Sequence, residues 1–117
     1  MSIDKFLSKT YDKNNYNCAH FTVDVYKHLT GVDIESNLKG LLFPLYDNHA
    51  TLELRKGFTR LQSPESPCIV LFSGKGIEPH VGVYYNGRVI HLGDSGAQYV
   101  DIDIIKISFK TVRYYKC

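Results

Sequence analysis

The chain has 117 residues, which fits a single domain over 1–117 built around one core. Its apolar fraction of 44%, with nine tyrosines and six phenylalanines, is enough to fill that core. A net charge of +2, with Lys and Arg spread along the chain, argues against a nucleic-acid binder, which normally carries a pronounced basic patch.

Ile3, Phe6 and Leu7 give residues 3–12 one apolar face, which predicts a short helix broken by Asp12-Lys13-Asn14-Asn15. From Asn17 to Thr30 the period is clearly helical. Cys18, Phe21, Val25 and Leu29 recur at three- and four-residue spacing, with Val23 and Tyr26 widening the stripe. Asn15 or Asn17 is placed to cap its start, and Gly31 to end it in a left-handed turn. Residues 32–66 carry the weakest pattern, with a helix expected from Ala50 to Lys56 and stopped by Gly57. Ser63-Pro64-Glu65-Ser66-Pro67 then reads as a turn into a strand. From Cys68 onward the chain reads as sheet: a strand at 68–73, a hairpin over 80–92, and strands near 98–105 and 107–115. Asn86-Gly87 marks the hairpin turn, since both residues tolerate the positive φ of a type I′ turn. A helix followed by consecutive antiparallel strands is an α+β layout.

That turn allows a deduction about side chains. With Tyr85 opposite Arg88, strand alternation puts His80, Gly82, Tyr84, Val89 and His91 on one face. The other face, with Val81, Val83, Tyr85, Ile90 and Leu92, is almost wholly apolar. His80 and His91 become diagonal neighbours within reach of a ring-to-ring hydrogen bond. Gly82 leaves space over the sheet, where the start of the 17–30 helix is expected to dock and bring Cys18 to the two rings. A cysteine in a first helical turn meets unsatisfied N–H groups and the positive end of the macrodipole, which lower its pKa and suit it to acyl transfer. Cys18 as nucleophile, His80 as general base and His91 as orienting group make a complete set for such chemistry.

The other candidates have plainer readings. Cys68, inside Cys68-Ile69-Val70-Leu71-Phe72, reads as a buried core residue, and Cys117 as a frayed end. His20, His28 and His49 read as surface or structural. No CxxC or CxC spacing occurs, which argues against a zinc knuckle or thioredoxin-type site, and the expectation is no metal and no cofactor. Met1-Ser2-Ile3-Asp4-Lys5 lacks the pattern of a secretion signal, and no apolar run approaches the roughly 20 residues of a membrane span. The expectation is a soluble chain made in the cytoplasm, with no membrane span.

Tyr16-Asn17-Cys18-Ala19-His20-Phe21 opening a helix, then His80-Val81-Gly82-Val83-Tyr84 and Ile90-His91, resembles the NlpC-type cell-wall peptidases, compact members of the papain-like superfamily. The likeness spans roughly 12–95. It departs from the usual Asp-Cys-Ser-Gly, having Asn-Cys-Ala-His, which is closer to phage-encoded branches. The Gly-Asp pair that normally precedes the apolar strand is replaced by Ser66-Pro67, and 32–66 has no clear counterpart. The resemblance implies a papain-like core and a Cys18–His80–His91 triad, with Tyr16 or Tyr11 assisting the oxyanion. It implies as substrate an amide bond in the peptide stem of peptidoglycan, reached from the cytoplasm through a phage particle or another delivery partner. Two alternatives share the scaffold: a binding module without catalysis, for phage-tail assembly or inhibition, and a thiol acyltransferase or deamidase.

Overall fold

The Asn86-Gly87 turn behaves as its composition dictates. Asn86 has φ 53° and Gly87 φ 85°, both left-handed, and the strands on either side pair with Tyr85 opposite Arg88 and Val83 opposite Ile90. The computed structural model describes residues 3–12, 15–35, 58–74, 80–93 and 95–116. The helix expected at 50–56, His49 and Cys117 lie outside them.

Six strands are present among the described residues: β1 Thr59–Leu61, β2 Cys68–Ser73, β3 His80–Tyr85, β4 Arg88–Gly93, β5 Gly96–Asp101 and β6 Thr111–Lys116. They form one antiparallel sheet in the order β1-β6-β2-β3-β4-β5. The last strand is therefore inserted between β1 and β2, where Ile69 faces Tyr115 and Phe72 faces Val112. With the helices α1 Cys18–Thr30 and α2 Ile102–Ser108 among the described residues, the fold is α+β.

Helix α1 begins and ends on the expected signals. Asn17 caps it, its side chain accepting from the amides of Ala19 (3.0 Å) and His20 (3.4 Å), and Gly31 closes it at φ 78°. Residues 3–12 supply less helix than expected, a single 3-10 turn over Asp4–Phe6. Ile3 and Phe6 are buried under it, but Leu7 is exposed.

The segment 98–108 departs from the expected pair of strands. The alternation Ile102, Ile104 mimics a strand, but Asp101 accepts from the amide of Asp103 at 3.0 Å and starts α2 instead. The amide of Ile102 also donates to the carbonyl of Gly87, tying α2 to the hairpin turn. Helical spacing then directs Ile105 inward and leaves Ile104 and Ile107 exposed.

Alternation along the strands produces two apolar layers. Ile69, Val81, Val83, Ile90 and Leu92 pack with Phe21, Val25 and Tyr26 of α1. Cys68, Val70, Phe72, Val89 and Tyr114 pack with Ile105 of α2 on the opposite face. The helix α1 thus docks on the face opposite the one expected. An amphipathic helix buries its stripe where most apolar surface is available, and each fully buried Val, Ile, Leu or Phe contributes about 1.5–3 kcal/mol. The face bearing His80 and His91 offers less. Nor is the space over Gly82 open to a helix. A Cβ there would meet Ile90 O at 2.8 Å, Val89 Cγ1 at 2.9 Å and His91 Cβ at 3.0 Å, so the neighbouring strand fills it.

Candidate functional site

His80 is the first residue of β3 and His91 lies near the end of β4, so the hairpin brings them together. His80 Nε2 and His91 Nδ1 are 3.1 Å apart, a hydrogen bond with one nitrogen donating and the other accepting. The rings stand nearly perpendicular, at 89°. Phe72, opposite His80 in the ladder and fully buried, presents its ring to both, with centroids 5.0 Å from His80 and 5.5 Å from His91. Phe109, just beyond α2, closes on the far side of Phe72 at 4.6 Å.

The two imidazoles are not equivalent. Burial, and then the charge of His80, hold His91 down at about 4, so it stays neutral at neutral pH. His80 Nε2 and His91 Nδ1 share one proton between them; in the tautomer where His91 accepts, His80 Nδ1 is left to face a second partner.

Cys18 opens α1 and is half-buried against the α1-side layer, whereas the histidine pair belongs to the other face. The first turn of α1 is also less open than expected. Asn17 Oδ1 already takes the amides of Ala19 and His20, and Phe21 N donates to Asn17 O at 3.1 Å.

Tyr16 does not serve the oxyanion in this arrangement. Its hydroxyl donates to Asp24 at 2.7 Å, and burial, followed by the Asp24 hydrogen bond and charge, pushes its ionisation upward. Its single proton is thereby committed along α1. Tyr11 packs against the α1-side layer. Cys68 is fully buried, and burial raises its thiol to about 11, as suits a core residue.

His20 has a role that its sequence position does not advertise. Its Nδ1 accepts from the Asn17 amide at 3.2 Å, completing a reciprocal capping box at the start of α1. The usual box carries Glu or Gln at that position, so Asn-Cys-Ala-His conceals the motif; the spacing of three from the cap is the signal that could have found it. His28 is half-buried with its ring edge toward Phe6 at 5.3 Å.

No protein-family model, curated protein or solved structure matches the chain. No helix among the described residues is long and apolar enough to cross a membrane.

Proposed function

We propose that the chain is a cysteine hydrolase of the papain-like, NlpC type, cleaving an amide bond in the peptide stem of peptidoglycan. The observation that carries the reading is the 3.1 Å hydrogen bond between His80 Nε2 and His91 Nδ1; on this reading His91 accepts and His80 Nδ1 serves as the base. The position of Cys18 at the start of a capped helix supports it further, because the dipole there favours the thiolate.

In this mechanism His80 Nδ1 takes the Cys18 proton, and the sulfur attacks the amide carbon to form a C–S bond. Negative charge develops on the carbonyl oxygen at the positive end of α1. The C–N bond then breaks as His80 returns the proton to the leaving nitrogen. Water, losing its proton to His80, attacks the thioester and releases the carboxylic acid and the thiol. His91 holds the His80 ring throughout. The cell wall is the site of action on this reading, with a phage particle or other carrier as the delivering partner.

The test is hydrolysis of purified muropeptides by wild type and Cys18→Ala, with the products identified by mass. The reading expects cleavage by wild type and its loss in a variant whose circular dichroism and Tm are unchanged. Equal cleavage by both proteins, or none by wild type, would overturn it.

A further inference from the structure

Basic residues that are scattered in sequence are gathered in space on one side of α1. Lys5 and Lys9, at and after the N-terminal 3-10 turn, and Lys27, in the last turn of α1, line a cleft of about 420 Å³ together with Phe6, Asp24 and His28. Three lysines against one aspartate leave a local charge of +2, equal to that of the whole chain. Among the described residues no carboxylate lies within ion-pair distance of Lys5, Lys9 or Lys27. Asp24, the one acid present, already accepts the Tyr16 hydroxyl at 2.7 Å. Two of the three exposed lysines lie over aromatic rings. Lys5 Nζ sits over the Phe6 ring at 5.1 Å and Lys9 Nζ over the Tyr16 ring at 5.8 Å.

We infer that this cleft is a binding site for a phosphate-bearing small ligand, separate from the histidine pair. Lysines without a carboxylate partner lining a recess of ligand size raise the local concentration of anions, and each can donate charge-assisted hydrogen bonds to phosphate oxygens. Phe6 and the edge of His28 form an apolar wall against which the organic part of a phosphate ester can rest.

Calorimetric titration of the intact chain tests this with three probes: inorganic phosphate, pyrophosphate and glucose 1-phosphate. Saturable 1:1 binding of at least one is expected. Lys5→Ala and Lys27→Ala are each expected to weaken it about tenfold, or 1.4 kcal/mol. Lys110→Ala, outside the cleft, is expected to leave it unchanged. Tighter binding of glucose 1-phosphate than of inorganic phosphate identifies an ester as the ligand; equal binding identifies the phosphate group alone. No saturable binding of any probe would overturn the inference. So would binding that survives Lys5→Ala/Lys27→Ala in a protein with wild-type circular dichroism, or that falls equally in Lys110→Ala.

Discussion

Replacing Gly82 with alanine perturbs the histidine pair without touching either ring. The added methyl would stand 2.8 Å from Ile90 O, 2.9 Å from Val89 Cγ1 and 3.0 Å from His91 Cβ. Two of these are backbone or Cβ atoms of β4, so the strand itself must give way rather than a flexible side-chain tip. Overpacking of a dense interior costs about 1–3 kcal/mol. The reduced freedom of the unfolded chain returns about 0.4–1 kcal/mol. The net expectation is a loss of about 1–2 kcal/mol, and at about 4 °C per kcal/mol for a chain of this size Tm falls by about 4–8 °C. Movement of β4 at this point also carries His91 away from His80 and admits water, so the His91 imidazole should titrate nearer the ordinary 6.5 than its present value of about 4. Thermal unfolding and an NMR titration of the imidazole nitrogens read the two effects separately. A variant as stable as wild type with an unmoved His91 titration would refute the reasoning.

Two further outcomes follow from the same geometry. Asn17→Ala removes the acceptor for two amides of α1 and is expected to cost about 1 kcal/mol in urea unfolding, with Asn17→Asp retaining most of the stability; equal stability of Asn17→Ala and wild type would contradict the cap. His91 has a folded pKa below its unfolded one, so the unfolded state binds the extra proton and stability falls as pH drops from about 6.5 to about 4. The loss at the bottom of that window is on the order of 3 kcal/mol, and His91→Gln should flatten it in urea melts across the range. An unchanged slope in the variant would show that another group governs the acid limb.

The legible parts of this fold are those set by near neighbours in sequence. Helix α1 was readable because its cap, apolar stripe and terminal Gly31 lie within fifteen residues of one another. The hairpin was readable because Asn86-Gly87 determines its register, and that register brings His80 and His91 together. What the residues did not disclose depends on distant competition. The face to which α1 docks is decided by the apolar area offered by β2, β3 and β4 jointly, and the space over Gly82 is closed by the approach of Val89, Ile90 and His91 in the paired strand, a distance that alternation alone does not give. The insertion of β6 between β1 and β2 is a pairing across some fifty residues with no local marker. In α2 a single side chain, Asp101, outweighed a strand-like alternation of isoleucines. The grouping of Lys5, Lys9 and Lys27 likewise exists only once the 3-10 turn is folded against α1.

The thiol itself is the most direct test of whether Cys18 and His80 work together. Alkylation by iodoacetamide, followed across pH and resolved by residue in the mass spectrometer, separates Cys18 from Cys68, which is buried and held at about 11. Coupling predicts that Cys18 reacts with an apparent pKa well below the ordinary thiol value of about 8.5 and returns toward it in His80→Ala. An ordinary titration in wild type, indifferent to loss of the imidazole, would contradict it.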